Sequence, residues 1–294
     1  MKLQGIYPPI ATPFNHEGEL YKVKVIHNIN KLNRSGLAGY CVCGSTGESV
    51  HLTSEEKYSL WGWVAEAAAP DRLLIAGTGV ESVRETIALT NKAAEIGYKL
   101  AMVRTPHYYK NLINNTEAQV LYFRAVADQA KIPLMIYNWP QTTGVDISVE
   151  AVVRLSEHPN VIAIKESSGN LEKLKALIAQ VKPGFQVLTG SAPTLWPCLE
   201  AGAVGAVLAF ANAAPYACIT IWEAFRRREA EAAEDWQQRI TPAALLVTVK
   251  YGIPGLKYAM DWNGFYGGVP RLPLIPIGDA AKREIEEAFH ELRG

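Results

Sequence analysis

The chain has 294 residues, 49% of them hydrophobic, with 29 Lys and Arg against 29 Asp and Glu, and so no formal net charge. That length and apolar content suffice for a large core, built as one α/β barrel with extensions or as two ordinary domains. Charge balance without a basic run excludes an electrostatic footprint for nucleic acid or anionic membrane, and no stretch of about 18 apolar residues is present to span a bilayer.

The opening MKLQGIYPPI lacks an apolar signal core and a small-residue cleavage site, so a cytoplasmic protein acting on small molecules is expected. Taken in chain order, apolar β-rich runs occur at GIYPPIAT (5–12), AGYCVC (38–43), LLIAGT (73–78), LAMVRT (100–105), IPLMIYN (132–138), VIAIKE (161–166), FQVLTG (185–190) and GAVLAF (205–210). Segments of helical period lie between them, among them SEEKYSLWGWVAEAAA (54–69), SVRETIALTNKAAEIG (82–97) and SVEAVVRLSEH (148–158), each opened by a Ser able to cap the first turn. Alternating strand and helix signals imply βαβ units and a parallel sheet.

Eight such units predict a (β/α)8 TIM barrel over residues 1–226, followed by a C-terminal helical extension over 227–294 with no catalytic cluster of its own. A doubly wound dinucleotide fold is disfavoured, because the nearest fingerprint, GTGVES at 77–82, lacks the third Gly and reads as a strand-to-helix turn with a capping Ser. Cys41, Cys43, Cys198 and Cys218 sit in apolar sequence without C-x-x-C spacing and are expected to be buried free thiols. The six histidines (16, 27, 51, 107, 158 and 290) include no pair at i, i+3 or i, i+4, so no metal ligands are assigned.

The run VIAIKESSGN (161–170) places Lys165 where one more aliphatic residue would fit. A lysine there ordinarily buries its stem and extends its ammonium into water. In a (β/α)8 barrel, however, residue 165 ends the sixth strand, and active sites form at the C-terminal ends of the strands. Reactive residues also end the second strand in GSTGES (44–49), the fourth in TPHYYK (105–110) and the fifth in YNWPQTTG (137–144).

A lysine at a barrel mouth can attack a ketone and form a Schiff base when it is neutral often enough. With an unperturbed pKa near 10.4, about one in 2,500 is neutral at pH 7, so the apolar neighbours must pull the value down. Tyr137, ending the adjacent strand, can carry the proton that leaves with water, given a hydroxyl relay. Gly44-Ser45-Thr46-Gly47-Glu48 offers turn amides and two hydroxyls, either as a cradle for the carboxylate of a 2-oxo acid or as a plain strand-to-helix turn.

The stretches G-S-T-G-E, Y-N-x-P-x-x-T-G and I-K-E-S-S-G resemble the signatures of the dihydrodipicolinate synthase and N-acetylneuraminate lyase family, class I aldolases that condense or release pyruvate through a lysine Schiff base on a barrel. The resemblance implies that Lys165 forms the Schiff base with no other cofactor, that Tyr137 is the general acid/base, that Ser45 relays its proton and that Thr46 contacts the pyruvate carboxylate. It further implies that Tyr108 is lent across a subunit contact, hence a homo-oligomer, tetramer or dimer, and that Gly44, Ser167, Gly190 and Val207 contact substrate.

Synthases of this family carry Arg where this chain has Thr142. LLIAGTGVES, AVVRLSEHPN, FQVLTGSA and YGIPGLKYAMDWNGFYGGVPRLPL look closer to the 4-hydroxy-2-oxoglutarate aldolases, which also lack that Arg. Thr46 stands where the mammalian-type subgroup has Asn, so the second substrate stays open. Cleavage of 4-hydroxy-2-oxoglutarate is the leading expectation, condensation of pyruvate with aspartate semialdehyde the alternative. A catalytically silent 2-oxo-acid-binding barrel is weaker, since a pure binder needs no Lys165, Tyr137 and Ser45 together.

Overall fold

The alternation in the sequence is realised as eight parallel strands in a computed structural model, which describes residues 1–290 and Leu292. The strands are β1 (Gly5–Tyr7), β2 (Gly39–Val42), β3 (Leu73–Gly77), β4 (Leu100–Arg104), β5 (Leu134–Asn138), β6 (Val161–Glu166), β7 (Gln186–Thr189) and β8 (Gly205–Val207). Each pairs with its sequence neighbour and β1 pairs with β8. The ring closes between β1 and β2 where the Ala38 amide donates to the Ile6 carbonyl (3.0 Å), that of Cys41 to Pro8 (3.0 Å) and that of Ile10 to Cys41 (2.8 Å).

Helices α1 (Lys22–Leu32), α2 (Ser54–Ala67), α3 (Val83–Ile96), α4 (Thr116–Ala127), α5 (Val149–Ser156), α6 (Leu171–Gln180), α7 (Leu195–Glu200) and α8 (Pro215–Arg227) connect the strands and cover the outside. Their starts follow local chemistry. Thr53 and Glu56 form a reciprocal capping box on α2, Ser82 caps α3 through the Glu85 amide, and Ser148 caps α5 through the Ala151 amide. The strand expected over 5–12 is shorter than its apolar run because Pro8 and Pro9 have no N–H to donate to a ladder. Pro133 likewise delays β5 to Leu134.

Side chains alternate between two cores. Leu3, Tyr7, Cys41, Ile75, Leu100, Met102, Met135, Ala163, Leu188 and Val207 fill the barrel interior, while a larger apolar layer seals strands against helices. All four cysteines are buried and free. The extension contributes α9 (Ala230–Leu245), a π-type turn (Leu246–Lys250), α10 (Gly252–Trp262) and α11 (Asp279–His290). Glu291, Arg293 and Gly294, part of the extension expected over 227–294, lie outside the described residues. No helix among the described residues is long and apolar enough to cross a membrane.

Candidate active site

Period-two alternation on β6 puts Lys165 on the same face as Ala163, above the apolar filling of the barrel. Its register partner on β5 is Tyr137, and the Lys165 Nζ stands 4.0 Å from the centre of the Tyr137 ring. Both side chains are buried, Lys165 being 4% and Tyr137 5% exposed. Loss of water pulls the Lys165 pKa down to about 8, opposed only weakly by the Cys41 thiol. Burial pushes the Tyr137 phenol up, and a hydrogen bond from Ser45 partly offsets this. The amine is therefore neutral in an appreciable fraction of molecules near neutral pH, beside a phenol that keeps its proton.

Ser45 comes from the turn after β2, a helical turn over Ser45–Gly47 whose first amides have no acceptor within it. Glu48 closes the turn in the left-handed region, with φ of 55°. The Thr12 hydroxyl donates to the Gly47 carbonyl (2.7 Å), and a Cβ at Gly47 would meet the Ile10 carbonyl oxygen at 2.9 Å, so the loop after β1 packs on a glycine. Gly190 has a comparable role. A Cβ there would lie 1.8 Å from Ser167 Oγ and 2.8 Å from Lys165 Cε, so only glycine lets those two side chains occupy this space.

Thr46, Tyr137, Thr142, Lys165, Ser167 and Gly190 line one chamber of about 460 Å³ at the C-terminal mouth of the barrel. Gly44 and Ser45 meet Tyr137 in a small recess. The structure thus gathers eight of the ten residues singled out from sequence. Val207 does not line the chamber; it is fully buried in the barrel interior. Tyr108 is 77% exposed and lies outside the chamber of its own chain, its amide donating to Glu81 Oε2 (3.0 Å).

Other contributors were not singled out. Asn138 Nδ2 donates to Glu166 Oε2 (2.8 Å) and to Asp146 Oδ1 (2.8 Å), while Glu166 Oε1 accepts the Ser168 amide (2.6 Å). This network fixes the ends of β5 and β6, and so the spacing of Tyr137 and Lys165. Its only signal is adjacency, since Asn138 and Glu166 each come one position after a candidate. The extension supplies a wall of the chamber through Leu245, Val247, Thr248, Val249, Ile253 and Leu256, which no motif marked.

The extension also clasps the turn that carries Ser45 and Glu48. Lys257 Nζ lies 2.6 Å from Glu48 Oε1 and donates to the Val269 carbonyl (2.9 Å), and the Arg271 amide donates to Glu48 Oε2 (2.8 Å). The Arg271 guanidinium reaches Glu56 Oε1 (2.6 Å) and the carbonyls of His51 (2.7 Å) and Gly18 (2.6 Å).

Comparison with known proteins agrees over the full length. The model of the Dihydrodipicolinate synthetase family matches residues 2–292. A 4-hydroxy-tetrahydrodipicolinate synthase of Exiguobacterium sp. is 34% identical over 98% of this chain and 99% of that protein. A protein of Emericella nidulans named probable 4-hydroxy-2-oxoglutarate aldolase, mitochondrial, is 35% identical over 98% of this chain and 94% of its own. The crystal structure of a chloride-inhibited dihydrodipicolinate synthase from Acinetobacter baumannii, complexed with pyruvate, superposes with a TM-score of 0.93 at 28% identity, covering 98% of each chain.

Proposed function

Because the chain belongs to the dihydrodipicolinate synthetase family and is a class I pyruvate aldolase of that family, we propose that it cleaves 4-hydroxy-2-oxoglutarate to pyruvate and glyoxylate. The neutral Lys165 amine attacks the C2 ketone. Tyr137, relayed by Ser45, supplies the proton that leaves with water and so completes the iminium. Tyr137 then takes the proton of the C4 hydroxyl, the C3–C4 bond breaks toward the iminium, and glyoxylate departs. Protonation of the resulting enamine at C3 and hydrolysis return pyruvate and the free amine. Thr46 and the adjacent turn amides hold the carboxylate next to the ketone. The iminium is the electron sink, so no metal or organic cofactor is required.

What supports this substrate is the make-up of the chamber around the second carboxylate. Ser167 Oγ is buried beside Lys165 with no hydrogen-bond partner, placed to donate to the small carboxylate of a glyoxylate unit. Condensation with aspartate semialdehyde, the alternative reading, calls for a cation toward a carboxylate farther from the reacting carbon. Among the described residues, Lys165, which the chemistry consumes, is the one charged side chain lining the chamber, and Thr142 offers a hydroxyl where a guanidinium would serve. The exposed Tyr108 is proposed to enter the relay of a neighbouring subunit in a homo-oligomer, and the location is proposed to be cytoplasmic.

Pyruvate with borohydride should add one reduced adduct per chain at Lys165, and none to Lys165→Ala. Wild type should cleave 4-hydroxy-2-oxoglutarate with a higher kcat/KM than it shows for condensing pyruvate with aspartate semialdehyde. Thr142→Arg should narrow that gap by about ten- to a hundredfold, the worth of a charge-assisted contact. Faster condensation by the wild type would overturn the substrate, while adduct on Lys165→Ala would overturn the nucleophile.

A further inference from the structure

Parallel register sets three side chains in a row across the mouth: Arg104 at the end of β4 is paired with Tyr137 on β5, and Tyr137 with Lys165 on β6. Met102 and Leu100, two and four positions before Arg104, fill the barrel interior, so alternation turns Arg104 to that same face. It lines the recess in which Gly44 and Ser45 meet Tyr137. Glycine makes room for it there. A Cβ at Gly79 would lie 2.4 Å from the Arg104 amide nitrogen and 3.1 Å from its Cγ, so the loop after β3 passes the arginine only without a side chain of its own.

The guanidinium is anchored through a single nitrogen. Nη1 lies 3.3 Å from Glu81 Oε1 and 2.6 Å from His107 Nδ1, and it donates to the Thr105 carbonyl (3.2 Å). Glu81 Oε2 is itself held by the amides of His107 (2.9 Å) and Tyr108 (3.0 Å). Nε and Nη2 make no hydrogen bond among the described residues, although the side chain is only 13% exposed. A guanidinium keeps its charge throughout the working pH range. No step of the reaction written above uses this cation.

We propose that Arg104 is a positioning residue for the proton carrier, a fixed cation that stabilises the Tyr137 phenolate formed between its two proton transfers. The inference rests on the Schiff-base reading above. As the carbinolamine C–O bond breaks, the nitrogen lone pair of Lys165 forms the C=N bond, and the departing oxygen takes the Tyr137 proton and leaves as water. Negative charge then remains on the phenol oxygen until the C4 hydroxyl returns a proton to it in the cleavage step. Burial makes that charge costly, and the Ser45 hydrogen bond and the Arg104 charge both act to lower the cost. The ionisable groups bearing on the phenol are the Cys41 thiol from β2, Arg104 from β4 and Lys165 from β6. Of these Arg104 is the one cation that the chemistry leaves unaltered, and a cation already in place needs no reorganisation when charge appears.

The test is single-turnover borohydride trapping on the full-length protein at saturating pyruvate. Arg104→Gln should slow iminium formation by about ten- to a hundredfold, the worth of a charge-assisted contact, and leave the half-saturating pyruvate concentration unchanged. Arg104→Lys, which keeps the charge, should recover most of that loss. In a Tyr137→Phe background Arg104→Gln should slow the step no further, because no phenolate forms there. Arg104→Met, which keeps an unbranched stem over Gly79, gives the same reading should the glutamine variant not fold. A wild-type rate in the uncharged variant beside an intact adduct overturns this inference and leaves the Schiff-base reading standing. So does an undiminished loss in the Tyr137→Phe background, or a lysine variant no faster than the uncharged one. Absence of the adduct from wild type overturns both.

Discussion

Two lysines of this chain are buried almost equally and meet opposite fates. Lys165, in the chamber, is 4% exposed and forms no ion pair among the described residues; Lys257, in the clasp between the extension and the turn after β2, is 0% exposed and lies 2.6 Å from a Glu48 carboxylate oxygen. Desolvation lowers the pKa of both, but at Lys257 the Glu48 charge and hydrogen bond work against it, whereas at Lys165 only the Cys41 thiol does. Removing water makes an ammonium expensive in either place, and the partner decides the outcome. Without a carboxylate the amine gives up its proton more readily, as a nucleophile must; with one beside it, desolvation is opposed and the side chain serves as a strut.

Each lysine can be pushed out of its role. The largest effect is expected where the nucleophile loses its proton carrier: Tyr137→Phe should slow iminium formation by about 10² to 10⁴ in single-turnover trapping, with an unchanged circular dichroism spectrum. An unchanged rate would remove Tyr137 from the mechanism. Stripping the strut of its partner comes next. Glu48→Gln should cost about 3 to 5 kcal/mol in urea unfolding, because a buried ammonium is left without its counter-charge. A midpoint equal to wild type would show that Lys257 is not held by charge.

Replacing the nucleophile should do the reverse. The folded pKa of Lys165 lies below its unfolded value, so between about pH 8 and 10.5 the unfolded chain binds more protons and stability rises with pH. Below about pH 8 the full penalty is present. Lys165→Met should therefore stabilise the protein at pH 7 by roughly 3 kcal/mol and by little at pH 10.5. Equal stability of the two proteins at pH 7 would contradict the desolvated amine. The smallest effect is in the pH profile: the pyruvate adduct should form about tenfold more slowly per pH unit below about 8 and level off above it. A rate flat down to pH 6 would mean the amine is not the titrating group.

Features read from local pattern survived folding. Strand and helix periods marked all eight units, and Lys165 and Tyr137 were legible because barrel topology carries the ends of β5 and β6 to one mouth, whereas Ser45 took its role from the family resemblance. What escaped depends on contacts between distant segments. Glu48 and Lys257 are 209 positions apart, and nothing in either neighbourhood names the other. The apolar wall at 245–256 looks in sequence like any half-buried helix, since hydrophobic spacing does not say whether a face meets core or cavity. Val207, expected at the site from the family resemblance, shares the inward face with Tyr137 and Ala163, but it is fully buried and does not line the chamber.

The clasp also sets a timetable. During synthesis the turn at 44–48 and Lys165 emerge before the cation and the amide that hold Glu48, which belong to residues 257 and 271. Until those residues arrive, the mouth lacks both that wall and that fastening. A prematurely released fragment therefore carries Lys165 without one wall of its chamber and with Glu48 unfastened.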